Sequence, residues 1–99
     1  MSSWVYMLRC ADGSFYVGST RDLELRVAQH NSNDEGAAYT RRRRPVELVW
    51  AAECEHIGEA FALEKQIQGW SRRKRQALID GDYDSIIQLS RRRAGRPRP

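Results

Sequence analysis

The sequence predicts an α+β fold, a small three-stranded antiparallel sheet built from an N-terminal hairpin plus a third strand and flanked by helices. Three observations predict it. Residues 4–10 and 15–17 are two short runs rich in aromatic and β-branched side chains, separated by Asp12-Gly13, which is the pattern of a β-hairpin. A third run of strand composition, residues 46–52, follows Pro45. The segments after the hairpin and after the third strand carry apolar residues at helical rather than alternating spacing.

Taken in order, the first strand has apolar residues on both parities, with Trp4, Tyr6 and Leu8 interleaved by Val5 and Met7, so it belongs in the centre of the sheet with both faces covered. After the second strand, Ser19, Thr20 and Asp22 offer capping oxygens ahead of Leu23, Val27 and His30, predicting a helix from about residue 22 to residue 31. Residues 32–44 lack sustained periodicity and end in four consecutive arginines, which reads as an exposed connection. Beyond the third strand, which Cys54 extends, Ala60, Leu63, Ile67 and Trp70 share helical spacing, with Gly69 weakening the end. Ser71 caps a further helix carrying Ala77, Leu78 and Ile79, and after the Asp80-Gly81-Asp82 turn the residues Tyr83, Ile86, Ile87 and Leu89 predict a short docked helix. There is no internal repeat.

A chain of 99 residues buries one core and not two, so one domain over residues 1–90 is expected, followed by a disordered basic tail over residues 91–99. No apolar run is long enough to span a bilayer, and no basic segment followed by an apolar stretch opens the chain. The expectation is a cytoplasmic protein, with association with the nucleoid as one form of that location and no membrane partner. Cys10 and Cys54 sit in apolar segments without a second ligand at metal spacing and read as reduced core residues.

The net charge of +4 suggests an anionic partner, and its distribution is more informative. Residues 91–99 hold five arginines and no acid, which leaves twelve basic against thirteen acidic groups over residues 1–90. A nucleic-acid surface must therefore come from local segregation of charge. Two runs supply it, Arg41-Arg42-Arg43-Arg44 and Arg72-Arg73-Lys74-Arg75, both suited to contacts with a phosphate backbone.

The opening Trp4-Val5-Tyr6, followed by Tyr16-Val17-Gly18, resembles the paired tripeptides that name the GIY-YIG nuclease superfamily. Gly and Ile of the first tripeptide are replaced by Trp and Val with the tyrosine kept, and the second differs by Val for Ile. Gly18-Ser19-Thr20 leads into a helix whose run Arg26-Val27-Ala28-Gln29-His30-Asn31 looks like the family's helix-borne Arg and His-Asn elements, and Glu64 resembles its acidic metal ligand. The resemblance covers nearly all of residues 4–80 and is nearest to small single-domain bacterial members, including Tyr39-Thr40 and Gly69-Trp70-Ser71-Arg72. No Asn follows Asn33, so the Asn that some members carry near the end of the domain has no counterpart.

What the resemblance implies is a metal-dependent DNA endonuclease, with DNA repair or recombination as the setting. Hydrolysis of a phosphodiester needs an activated water, neutralised phosphoryl charge and a stabilised leaving oxygen. One Mg²⁺ or Mn²⁺ ion, held by Glu64 and substrate phosphate, suits a hard cation that keeps several waters. Arg26 offers a planar donor fork to phosphate. His30, one turn on, faces the same site as hydrogen-bond donor, proton carrier or positioning group. Tyr6 or Tyr16 orients or deprotonates the water, which needs a nearby cation because a phenol titrates near about 10. Without the resemblance, Glu64 and Arg26 read as solvated helix residues and the tyrosines as packing aromatics.

Hairpin register tests the shared site. A two-residue loop at Asp12-Gly13 puts Tyr6 and Tyr16 on opposite faces, whereas a three-residue loop with Gly13 left-handed pairs Cys10 with Ser14 and puts both on one face. The second register is predicted. The competing readings are a non-catalytic nucleic-acid-binding module and a subunit whose targeting comes from a partner protein, since nothing in the chain resembles a helix-turn-helix or zinc module.

Overall fold

The computed structural model describes residues 2–32 and 36–94, with backbone alone over residues 89–94. Strands β1 (Ser3–Arg9), β2 (Phe15–Thr20) and β3 (Glu47–Cys54) form one antiparallel sheet in the order β2-β1-β3. Helices α1 (Leu23–His30) and α2 (Ala38–Arg41) separate β2 from β3, and α3 (Ile57–Gln68), α4 (Arg72–Ile79) and α5 (Tyr83–Ala94) follow. Contacts gather into two compact units, Met1–Gln68 and Gly69–Pro99, with the boundary inside the segment expected as one domain. Among the described residues no helix is long and apolar enough to cross a membrane.

The central position of β1 follows from its apolar residues on both parities: Val5, Tyr6, Met7 and Leu8 are all buried. Its partner register with β2 is the one a three-residue loop dictates. Gly13 has a φ of 84°, the left-handed conformation that a side chain resists. The Cys10 amide donates to the Ser14 carbonyl at 2.8 Å, and Tyr6 faces Gly18 while Leu8 faces Tyr16. Side chains alternate across a strand, so Tyr6 and Tyr16 share one sheet face. On that face Tyr6, Leu8, Cys10 and Val46 form a buried cluster, against which Leu23 and Val27 of α1 pack.

The second face carries Val5, Met7, Val17 and Ser19. Helix α3 lies against it: Ala60 and Ile67 are buried, and Gln68 donates to the Val17 carbonyl at 3.2 Å. Between β1 and β3 the register slips at Met7/Leu8, so Val49 is an extra residue and the strand bulges there.

Caps behave as their residue types require. The Asp22 carboxylate accepts from the Leu25 amide to start α1, and the Ser71 hydroxyl accepts from the Lys74 amide to start α4. Three details differ from the sequence-based expectation. Residues 32–44 are not simply an exposed connection, since they include the one-turn α2 and fully bury Thr40. Helix α3 ends at Gln68, so Trp70 lies in the turn beyond Gly69, where the Lys74 ammonium sits 4.5 Å from its ring centroid. Helix α5 runs on through Arg91–Arg93 to Ala94, because arginine is a good helix former and no breaker precedes Gly95. The rest of the expected tail, residues 95–99, lies outside the described residues.

Candidate active site

Four of the five side chains singled out by the resemblance meet on the Tyr6 face of the sheet, and the fifth reaches its edge. Strand β1 supplies Tyr6 and strand β2 supplies Tyr16, with ring centroids 6.4 Å apart. Helix α1 places Arg26 and His30 one turn apart on its inward side. The His30 ring is 5.7 Å from that of Tyr6 and 5.0 Å from that of Tyr16. Its Nε2 lies 2.7 Å from the Tyr6 hydroxyl and its Nδ1 lies 2.9 Å from the Thr40 hydroxyl, so both ring nitrogens are bonded inside the protein.

Gly18 makes this arrangement possible. A Cβ built there would stand 2.5 Å from the Tyr6 hydroxyl oxygen and 2.6 Å from its ring carbon Cζ, closer than any real contact. The absent side chain is the space the Tyr6 phenol occupies.

Glu64 approaches from α3. Its Oε1 accepts from the Ser19 hydroxyl at 2.5 Å and its Oε2 accepts from the Gln68 amide at 2.9 Å. Ser19 belongs to β2, which is an edge strand, so the carboxylate is held at the rim of the sheet. Its charge is felt by both phenols. Burial is the largest cause pushing Tyr6 up to about 12, followed by the neighbouring Tyr16; Arg26 opposes the shift through a hydrogen bond and its charge, and Glu64 adds to it. Tyr16 is also raised, by burial first, with Arg26 lowering and Glu64 raising. His30 is pulled down to about 4 by burial and then by the Arg26 charge. The imidazole is therefore neutral at physiological pH.

The carboxylate suits a hard divalent cation. Each Glu64 oxygen takes one protein donor, which leaves acceptor capacity on both, and a single carboxylate with water and phosphate is the coordination that Mg²⁺ favours. A different group, Glu55, His56 and Glu59, brings three ligand atoms within 4.8 Å of one another, but it is fully exposed at the start of α3 and does not include Glu64.

The first arginine run divides by role. Arg43 bonds through Nε to Asp12 at 2.9 Å, donates to the Tyr39 carbonyl at 2.8 Å and lies 4.0 Å over the Tyr39 ring. Arg44 donates to the carbonyls of Arg41 and Ser32. These two tie the loop before β3 to the hairpin tip and to the end of α1, while Arg41 and Arg42 are exposed. Arg72, Arg73, Lys74 and Arg75 belong to α4 in the second unit, as does a groove of about 510 Å³ lined by residues such as Arg73, Asp80 and Ser85.

Sequence reasoning did not single out Thr40, Asn31, Ser19 or Gly18 for what they do. Asn31 clamps the entry to β3, its amide donating to the Val46 carbonyl at 3.1 Å and its Oδ1 accepting from the Val46 amide at 2.8 Å. The only sequence signal for these residues was their place beside the tyrosine, histidine and glutamate elements.

The family model described as GIY-YIG catalytic domain matches residues 2–77. The chain is 42% identical over 76 residues to a UPF0213 protein of Staphylococcus saprophyticus, covering 77% of this chain and 92% of that one. It is 44% identical over 77 residues to one of Bacillus pumilus, covering 78% of each. Among solved structures, it is similar to the solution structure of a UPF0213 protein of Bacillus halodurans, with a TM-score of 0.53 and 39% identity over 91% of this chain and 98% of that one. A protein of E. faecalis aligns with a TM-score of 0.57 and 33% identity over 84% of this chain and 88% of that one.

Proposed function

We propose that this chain, which belongs to the GIY-YIG catalytic-domain family, is a metal-dependent DNA endonuclease that hydrolyses phosphodiester bonds, in the setting of DNA repair or recombination. One observation carries the reading: Tyr6, Tyr16, His30 and Arg26 gather around a buried 2.7 Å hydrogen bond, with the Glu64 carboxylate in the field of both phenols.

Tyr16 is the phenol that meets the attacking water, because its side chain keeps partial exposure while the Tyr6 hydroxyl is enclosed and committed to His30. Both phenols are weak bases as they stand, with pKa values raised by burial and by the Glu64 charge. One Mg²⁺ or Mn²⁺ ion bound at Glu64 supplies the positive charge that favours a phenolate and neutralises the phosphoryl oxygens. Arg26 already lowers both phenols, and its fork matches a phosphate in two bonds. His30, neutral and bonded on both nitrogens, holds Tyr6 rather than delivering a charge. Arg41, Arg42, Arg72, Arg73, Lys74 and Arg75 serve as contacts to the DNA backbone, while Arg43 and Arg44 contribute to it only at the expense of their bonds within the fold. A protein partner would supply targeting.

The test is cleavage by the purified chain on flap, branched, single-stranded and duplex DNA, with Mg²⁺, Mn²⁺ or chelator. Wild type cuts with metal, and Glu64→Gln, which keeps the shape and removes the charge, loses on the order of thousandfold in rate while staying folded. Equal rates would remove Glu64 as the metal ligand. DNA binding without metal-dependent cleavage of any substrate would replace the nuclease with a non-catalytic binding module.

A further inference from the structure

The proton positions around His30 follow from counting donors and acceptors. The Thr40 hydroxyl has one hydrogen, and it lies 3.0 Å from the Ala37 carbonyl, to which it donates. Thr40 Oγ1 then faces His30 Nδ1 as an acceptor. With that donation made, Nδ1 carries the imidazole proton, Nε2 is bare, and the Tyr6 hydroxyl donates to it; because the Ala37 carbonyl also accepts from the Thr40 and Arg41 amides, it is the Tyr6 end that decides between the two tautomers. The opposite tautomer fails at Tyr6. With Nε2 protonated, the phenol oxygen would accept from His30. The Tyr6 hydrogen would then have no acceptor in a side chain that is only 1% exposed. Leaving a buried donor unmet is costly, and among the described residues no buried side-chain nitrogen or oxygen lacks a partner.

We infer that Thr40 is a positioning residue for the active site: its buried hydroxyl fixes His30 as the Nδ1–H tautomer and so makes the Tyr6 phenol a hydrogen donor to Nε2. The chain runs in one direction, from Tyr6 O–H to His30 Nε2, from Nδ1–H to Thr40, and from Thr40 O–H to Ala37. Thr40 is well placed for this. It is fully buried although it belongs to a one-turn helix beside the arginine run, and neighbouring Tyr39 stacks on Tyr16 with centroids 5.9 Å apart while holding Arg43 on its other contacts. Gly36 brings the loop backbone against His30, since a Cβ there would meet the His30 Cα at 3.0 Å.

The catalytic consequence rests on the nuclease reading, but the tautomer does not, and the experiment separates them. ¹⁵N NMR of the two imidazoles in the full chain, with His56→Gln assigning the second ring, reads which nitrogen of His30 bears the proton. Wild type shows Nδ1 protonated and Nε2 bare. Thr40→Ser keeps that pattern, and Thr40→Val, which keeps the shape and removes the acceptor, moves His30 toward the Nε2–H form. DNA cleavage falls by about tenfold to a hundredfold in Thr40→Val and stays within about threefold in Thr40→Ser. A wild type with bare Nδ1 overturns the proposal without recourse to any variant, as does a folded Thr40→Val protein with an unchanged His30 spectrum. If the tautomer responds as stated but wild type cuts no DNA, the assignment of Thr40 stands and the nuclease reading falls.

Discussion

Replacing Gly18 with alanine tests whether the Tyr6 phenol owes its place to a missing side chain. The added methyl would stand 2.5 Å from the phenol oxygen, 2.6 Å from Cζ and 3.1 Å from Tyr16 Cε2, whereas carbon atoms rest about 3.5–4.0 Å apart. The Tyr6 ring would have to move by about 1 Å, and it is enclosed with its hydroxyl 2.7 Å from His30. Overpacking of this kind costs about 1–3 kcal/mol, and disrupting a buried hydrogen bond costs about 1–3 kcal/mol more. The expected loss is roughly 2–6 kcal/mol, a large share of a small domain's stability. Urea unfolding at fixed pH measures it, with Gly13→Ala as the control. Gly13 has open space around its Cβ position and a φ of +84°, so that change carries only backbone strain of about 1–2 kcal/mol. The double variant Gly18→Ala with Tyr6→Phe removes the nearest clashing atom and should recover part of the loss, a coupling that the cycle isolates. A Gly18→Ala protein no less stable than Gly13→Ala would show that the phenol does not depend on Gly18, and the packing argument for the site would fail.

The other predictions concern charge. His30, enclosed by Tyr6, Tyr16 and the Arg26 charge, has its folded pKa lowered from 6.5 to about 4, so the unfolded chain binds the proton more readily. Its contribution to stability is present above pH 6.5 and is lost as pH falls toward 4, by about 3 kcal/mol; urea unfolding between pH 7 and 4 should show a steeper decline for wild type than for His30→Gln, and parallel declines would contradict it. Arg43→Ala should lower stability by about 1 kcal/mol, since its pair with Asp12 is partly exposed and its stacking on Tyr39 adds a cation–π contact. Arg42→Ala should leave stability unchanged and reduce the slope of log affinity against log salt on duplex DNA by about 0.9; the reverse pattern would mean that the roles within the arginine run are misassigned.

Much of this site was legible because its determinants are local. Gly13 after Asp12 sets a three-residue loop, the loop sets the register, and the register puts Tyr6 and Tyr16 on one face. A single helical turn then brings Arg26 and His30 together. What sequence could not give depends on where the chain returns. Helix α2 is four residues long, too short to leave a periodic pattern, so the burial of Thr40 against His30 has no local signature. The Arg43 pairing is equally hidden, because its partner Asp12 lies 31 residues away and a run of arginines looks uniformly solvated in one dimension. Gly69 did signal the end of α3, but the spacing of Trp70 with Ile67 continued the helical pattern past it, and the turn prevailed.

The site separates into an enclosed layer without charge and an open layer that bears it, and on the proposed nuclease reading magnitudes separate the roles of the two tyrosines. With Tyr6 at about 12 and His30 at about 4, moving the phenol proton to the imidazole costs roughly 11 kcal/mol. The attraction between the resulting charges at 2.7 Å returns only about 6 kcal/mol at an effective dielectric of about 20. The pair therefore rests as neutral phenol and neutral imidazole, and Tyr6 does not reach a water as a base by way of His30. Its value is geometric: a fixed hydroxyl bonded to His30. Tyr16 keeps partial exposure and shares the fields of Arg26 and Glu64, so it is the phenol whose ionisation an added cation changes most directly. On the proposed nuclease reading, that division gives support to Tyr6, His30 and Thr40 and contact with the reacting groups to Tyr16, Arg26 and Glu64.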